Sequence, residues 1–234
     1  MNLGDFREDY RRGALDRTAL AANPLAQFES WFQAAAGEQS QSRWRKIGIA
    51  LYKLWSAVCN HRPADINAMT LATVDKDGKP STRTVLLKSV DARGFVFFTN
   101  YDSRKGRELA ENPHAALTFF WSDLERQVCV AGSVSKLPVA ESEAYFQSRP
   151  RGSQLAAWAS EQSAVVPDRA TLEAKWRELE KKFPGAIPLP PNWGGFVLRP
   201  ERIEFWQGRP SRLHDRFSYS RNQDGAWKLE RLSP

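Results

Sequence analysis

Residues 69–100, MTLATVDKDGKPSTRTVLLKSVDARGFVFFTN, decide the fold class. Thr, Val, Leu and Phe are concentrated in three runs, 69–76, 81–88 and 94–100, and such residues fit a pleated, half-buried surface. Asp77-Gly78 between the first two runs is a strong hairpin signal, because a tight turn needs residues that tolerate positive φ. A second turn, Asp91–Gly94, separates the second run from the third. Runs joined by links this short pair antiparallel, since parallel pairing needs a long crossover.

Outward from this core, helical and strand patterns alternate in blocks. Asn23-Pro24 reads as an N-cap followed by proline at the first helical position, and Leu25, Phe28, Trp31 and Phe32 then share one helical face. Residues 43–60, RWRKIGIALYKLWSAVCN, repeat that spacing with Trp44, Ile47, Leu51, Leu54, Trp55 and Val58, which predicts a second amphipathic helix with basic residues at its start. Downstream, SRKGRELAEN (103–112) predicts a short helix, and AALTFFW (115–121) and QVCVAGSVSKL (127–137) predict strands. Pro138 opens a helical stretch, VAESEAYFQSRP, and residues 168–183 place Leu172, Trp176, Leu179 and Phe183 on one stripe. The chain returns to strands in GGFVLRP (194–200), RIEFWQG (202–208), RFSYSR (216–221) and AWKLERL (226–232).

Seven or eight strands with helices before and between them predict a mainly β fold with flanking helices. A closed or split antiparallel barrel is the natural way for it to manage its edges. Residues 1–68 read as an N-terminal helical segment and 69–234 as the barrel domain.

Composition removes whole classes. A chain of 234 residues that is 41% hydrophobic and 26% charged is neither disordered nor of low complexity. No apolar run approaches the roughly 18 residues a membrane span needs. The opening MNLGDFREDYRRG has no apolar signal-peptide core, and two cysteines, Cys59 and Cys129, suit a reducing compartment, so a cytoplasmic protein is expected. The net charge of +7 points to an anionic partner: nucleic acid, an acidic membrane or a phosphorylated small molecule. Nine tryptophans among basic residues suit single-stranded nucleic acid as well, so composition leaves the choice open. No glycine-rich nucleotide fingerprint, phosphate-binding P-loop or nucleophile elbow is present. His61, His114 and His214 form no metal-ligand motif, and no metal site is expected.

Four basic clusters remain. Arg83 and Lys88 bracket RTVLLK; five apart, they face opposite sides of a regular strand, or one region if the strand bends. Ser103-Arg104-Lys105 opens a helix, where free N–H groups and the dipole attract an anion; a plain serine cap with exposed charges is the alternative. Tyr145, Arg149 and Ser153 stand at intervals of four and offer a phosphate grip, although Pro150 ends the first helix near Arg149. Arg212, His214 and Arg216 share one strand face at period two, which is costly without an anion or carboxylate opposite.

RTVLLK, FFTNYDSRKGREL, LERQV, YFQSRPRGSQLAAWASEQS, WGGF and IEFWQGRPSRLHDR together resemble the pyridoxamine/pyridoxine 5′-phosphate oxidase family, over about residues 1–36 and 64–234. The resemblance implies an FMN-binding split β-barrel, a homodimer with FMN at the subunit interface. It implies oxidation of pyridoxamine 5′-phosphate or pyridoxine 5′-phosphate to pyridoxal 5′-phosphate, with O2 reduced to hydrogen peroxide. It assigns to FMN the strand Arg83, Thr84, Val85, Leu86, Leu87 and Lys88, with Phe98 and Thr99 lining the flavin. Ser103, Arg104 and Lys105 become phosphate anchors, Gln127 a partner of the isoalloxazine, and Gln162, Ser163, Trp206 and Arg216 further cofactor contacts. Lys88, Tyr145, Arg149 and Ser153 become the substrate-phosphate grip. Arg212, Leu213 and His214 lie beside the substrate ring, Asp65 near the reacting carbon, and Arg7 and Tyr10 on a segment that covers the site. Arg212, His214 and Asp65 are the catalytic candidates. A flavin reductase on the same fold, or a basic nucleic-acid-binding module, are the competing functions.

One stretch departs from the pattern. About residues 40–62 are an insertion relative to the resemblance, expected as an extra helix packed on the barrel or as a basic amphipathic surface for a membrane or partner.

Overall fold

Helix α1, Pro24–Gln41, begins as its sequence predicts: the Asn23 side chain accepts a hydrogen bond from the Leu25 N–H at 2.9 Å, satisfying a donor the helix cannot. The computed structural model to which it belongs describes residues 10–41 and 65–234. The helix predicted at 43–60, most of the 40–62 insertion, Arg7, Cys59 and His61 lie outside the described residues. Nine strands follow in the order β1 (Ala68–Val74), β2 (Pro80–Leu86), β3 (Ser89–Asp91), β4 (Gly94–Asn100), β5 (His114–Trp121), β6 (Arg126–Lys136), β7 (Trp193–Gln207), β8 (Asp215–Arg221) and β9 (Trp227–Leu232). Their lateral order is β2-β1-β5-β6-β7-β4-β3, with β8 added on β7 and β9 on β8. Among the described residues the count exceeds the predicted seven or eight because Ser89–Asp91, assigned to no strand by the sequence pattern, pairs with Gly94–Val96 as a three-residue strand.

The chain divides into two compact units built from separate segments. The first takes the described residues of Met1–Thr70, with Leu117–Ala131 and Pro200–Pro234. Its core follows from the predicted face of α1: Phe28 and Trp31 are buried, Phe28 against Phe119 at 5.0 Å and Trp31 edge-on to Phe205 at 5.2 Å. Antiparallel pairing runs Arg202↔Ser220 to Gln207↔Asp215, and β9 completes the ribbon from Arg216↔Leu232 to Arg221↔Trp227. Tyr219 on β8 is buried and donates to the Ala21 carbonyl at 2.7 Å; burial pushes its phenol up to about 12.

The second unit takes Leu71–Ala116 and Gly132–Arg199. The Asp77-Gly78 signal is realised: Gly78 has φ +80°, and Asp75 accepts from the N–H groups of Asp77 at 3.0 Å and Lys79 at 2.9 Å. Strand β4 is almost wholly buried and pairs with β7 from Phe95↔Leu198 to Asn100↔Trp193. Helix α2, Arg104–Glu111, starts on Ser103, whose hydroxyl accepts from the Gly106 N–H. Helices α3 (Val139–Ser148), α4 (Arg151–Ala159) and α5 (Arg169–Lys182) surround a core of Phe146, Leu155, Ile187 and Trp193, onto which Trp158, Trp176, Leu179 and Phe183 pack. Among the described residues no helix is long and apolar enough to cross a membrane.

Gly106 sits where a side chain has no room. A Cβ there would collide with the Tyr101 carbonyl oxygen, a backbone atom that no rotamer change can move. Gly106→Ala should therefore destabilise the chain by about 1–3 kcal/mol, the usual cost of overpacking, despite alanine's better helix propensity; urea unfolding measures it.

Candidate functional site

The second unit holds a cavity of about 840 Å³. Among the described residues its wall carries five cationic side chains, Arg83, Lys88, Arg104, Lys105 and Arg149, and no carboxylate. Thr84, Val85 and Leu86 from β2, Phe98 and Thr99 from β4, and Tyr145 and Ser153 also line it. Leu87 does not line it; its side chain is buried. The strand ends at Leu86, so Lys88 escapes strict alternation and reaches the same cavity as Arg83, the bent case left open by the sequence.

The start of α2 contributes Arg104 and Lys105 to the cavity wall. Lys105 is buried, and its ammonium donates to Thr99 Oγ1 at 3.0 Å, Gln162 Oε1 at 3.2 Å and Ser103 Oγ at 3.3 Å, all neutral oxygens. Burial, with the Arg83 charge adding to it and Glu108 opposing, brings its pKa down to about 8. Ser163, left-handed at φ +76°, accepts from the Arg104 N–H at 3.2 Å.

Behind this wall is a carboxylate that sequence reasoning missed. Glu108 is buried on α2 and accepts from Ser81 Oγ at 2.7 Å, Thr73 Oγ1, Arg83 Nη2 at 3.0 Å and Arg104 Nε at 2.8 Å. Burial pushes its carboxyl up, but the donors from Ser81, Thr73, Arg104 and Arg83 together win and hold it at about 2. The available signal was its spacing, four residues after Arg104 on a predicted helix. Arg83 is also turned inward, giving Nη1 to Thr73 and Nη2 to Ser81 and Glu108.

The Tyr145/Arg149/Ser153 triplet also lines the cavity, but not on one helix: α3 stops at Ser148, Arg149 is extended, and Pro150 caps the start of α4. Phe98 stacks on Tyr145 at 3.9 Å. The Arg149 guanidinium lies over the Trp193 ring at 4.7 Å, and its Nη1 is buried with no hydrogen-bond partner among the described residues. Burial lowers its pKa, so this donor is held ready at a desolvation cost.

The remaining candidates belong to the first unit. Trp206, Tyr10 and His214 form an aromatic cluster, with Trp206–His214 at 4.7 Å and Tyr10–Trp206 at 5.4 Å. His214 Nδ1 accepts from the Arg209 N–H at 3.1 Å, so a neutral imidazole carries its proton on Nε2. The period-two strand predicted for Arg212, His214 and Arg216 is not formed. Arg212 closes a 3-10 turn, Pro210–Arg212, in which Ser211 and Arg212 are left-handed at φ +57° and +61°, and only Arg216 lies in β8. Proline and the two positive-φ residues break the extension. Arg212 and Leu213 are exposed, and Arg216 is paired with Glu204 through Nε at 2.9 Å and Nη2 at 2.8 Å. Gln127 Nε2 donates to Cys129 Sγ at 3.4 Å, and exposed Asp65 gives its carbonyl to the Ala68 N–H at 2.8 Å.

Two family models match the chain: pyridoxamine 5′-phosphate oxidase over residues 59–183, and the C-terminal dimerisation region of pyridoxine 5′-phosphate oxidase over 193–234. The chain is 54% identical over 233 residues to pyridoxine/pyridoxamine 5′-phosphate oxidase 1 of Ralstonia nicotianae, covering 100% of this chain and 99% of that one. It is 50% identical to the oxidase of Burkholderia thailandensis, over 99% of each. Among solved structures, PhzG from Burkholderia lata in complex with tetrahydrophenazine-1-carboxylic acid matches with TM-score 0.77 and 29% identity, over 94% of this chain and 98% of that one.

The Glu108 network has an acid signature. A carboxyl held at about 2 against an ordinary 4.5 contributes stability above pH 4.5 that is lost as pH falls toward 2. The native chain should lose about 3 kcal/mol across that window through this group, and Glu108→Gln should lack that share of the slope; urea midpoints at stepped pH compare them.

Proposed function

The chain belongs to the pyridoxamine 5′-phosphate oxidase family of FMN-dependent oxidoreductases, with the family's antiparallel split-barrel fold, and we propose that it makes pyridoxal 5′-phosphate from pyridoxamine 5′-phosphate or pyridoxine 5′-phosphate. One observation carries the reading: a single cavity that, among the described residues, is walled by five cations and no carboxylate. An enclosure of that kind suits two phosphorylated ligands.

The residues present fit FMN. The α2 N-terminus, the buried Lys105 ammonium with only neutral partners, and Arg104 form a dianion site, and 840 Å³ is room enough for a flavin beside a substrate. The orphaned Nη1 of Arg149 is the matching signal elsewhere on the wall, where a substrate phosphate would satisfy it together with Lys88, Tyr145 and Ser153. When bound, FMN supplies the acceptor for a hydride from substrate C4′ and the route by which the electron pair reaches O2, giving hydrogen peroxide. With the amine substrate, water enters and ammonia leaves; with the alcohol, the aldehyde forms directly.

The chain's own residues bind, orient and exclude water. Phe98 and Thr99 line the flavin, Gln127 meets the isoalloxazine, and Gln162, Ser163, Trp206 and Arg216 complete the cofactor set. Arg212 and Leu213 hold the pyridine ring, and Arg212 stabilises charge near C4′. His214 offers its Nε2 proton as a hydrogen bond, fixed in that tautomer by Arg209. Asp65 stands near the reacting carbon, and Tyr10 covers the site. The enzyme works in the cytoplasm as a homodimer with FMN at the subunit interface.

Anaerobic addition of pyridoxine 5′-phosphate to the yellow protein should bleach its flavin absorbance, and air should restore it with peroxide release. A colourless protein that FMN cannot reconstitute overturns the proposal; NADH-driven bleaching without response to the vitamers would make it a reductase instead.

Two variants separate the two proposed phosphate sites. Arg149→Lys, which cannot reproduce the fork, should raise KM for pyridoxine 5′-phosphate about tenfold or more while leaving FMN affinity near native, as steady-state kinetics and flavin titration will tell. FMN affinity of the native chain should weaken as pH rises through about 8, because the free chain loses the Lys105 proton there and the bound dianion takes it back. Lys105→Met should bind FMN more weakly and without that pH dependence.

A further inference from the structure

Among the cations of the cavity, Arg104 is held in a distinctive way. Its Nε donates to Glu108 Oε1 at 2.8 Å, four residues along the same helix, while its side chain remains 58% exposed. Glu108 itself is fixed from every side: Ser81 and Thr73 supply hydroxyl donors, and Arg83 supplies Nη2. The carboxylate therefore has no freedom to follow Arg104, and Arg104 must come to it. A guanidinium anchored through Nε keeps both terminal nitrogens coplanar and directed away from the anchor, the geometry that grips a phosphate with two parallel hydrogen bonds.

We propose that Glu108 is a positioning residue for the cofactor phosphate: it fixes Arg104 through Nε so that the two Nη groups face the anion as a preformed fork. The same carboxylate also pairs with Arg83, whose guanidinium is held in turn by Thr73 and Ser81. The arrangement spends a negative charge close to an anion site. That choice makes sense only if the order it imposes on Arg104 outweighs the repulsion. The inference rests on the FMN reading above.

The test compares FMN with riboflavin, which has the same ring system and no phosphate, in titrations of the full-length apoprotein followed by flavin fluorescence. Glu108→Asp keeps the charge and withdraws the carboxylate by one methylene. It should weaken FMN binding about tenfold, the scale of one charge-assisted hydrogen bond, and leave riboflavin binding unchanged. Glu108→Gln should show the same phosphate-selective loss. Equal losses for both flavins would reduce Glu108 to a structural role and overturn the proposal. Unchanged or tighter FMN binding would overturn it as well, by showing that the charge only opposes the phosphate. If either variant loses its native circular dichroism, Arg104→Lys replaces it: a point charge without a fork should lose FMN selectively, and a silent substitution overturns the idea. A native chain that binds neither flavin would instead overturn the FMN reading itself.

Discussion

Like charges gathered around a hollow repel one another and resist being taken out of water, and the second unit of this protein is built around that cost. The described wall of its cavity collects five cations, and the buried carboxylate of Glu108 pairs with two of them from behind the wall. Lys105 feels the shortage most, held by neutral oxygens and with its proton loosened toward neutral pH. Arg149 feels it differently, with a buried nitrogen that bonds to nothing among the described residues. Such groups are stable only because the rest of the unit, from the aromatic stack of Phe98 on Tyr145 to the Phe146 and Leu155 core, holds their backbones in place.

Seen this way, the helices flanking the sheet are positioning devices. Helix α2 brings its N-terminus, Lys105 and Arg104 to the hollow, and Ser103 starts it there by accepting from the Gly106 N–H. Gly106 is bare because the Tyr101 carbonyl lies where a side chain would go, so the helix packs against the end of β4 more closely than any other residue would allow. The anion-attracting end of α2 thus depends on a contact that involves no charge at all.

Much of this was legible beforehand, for identifiable reasons. The strands announced themselves because their apolar runs are bounded by turn residues such as Asp77-Gly78 and Asp91–Gly94, whose local preference agrees with the final fold. The basic clusters were visible as residue types at helix starts and strand ends. What stayed hidden was where neighbours turn. Arg212, His214 and Arg216 looked like one strand face, but Pro210 and two left-handed residues interrupt the extension, and periodicity cannot foresee two successive positive-φ residues that are not glycine. Leu87 was grouped with its neighbours because a motif is contiguous in sequence, while Leu87 lies just past the end of β2 and buries its side chain away from the cavity. Glu108 was missed because an acid on a short amphipathic helix normally faces water; its burial comes from Thr73 and Ser81, dozens of positions away.

The break at Pro150 has a consequence for how such a site changes over generations. Tyr145, Arg149 and Ser153 look like successive turns of one helix, yet they stand on two rods joined at an elbow. The reach between them is therefore set by the bend of that joint and not by helical pitch. A lineage can widen or narrow the jaws for a bulkier or slimmer guest by altering the elbow alone, keeping every tooth where selection first put it.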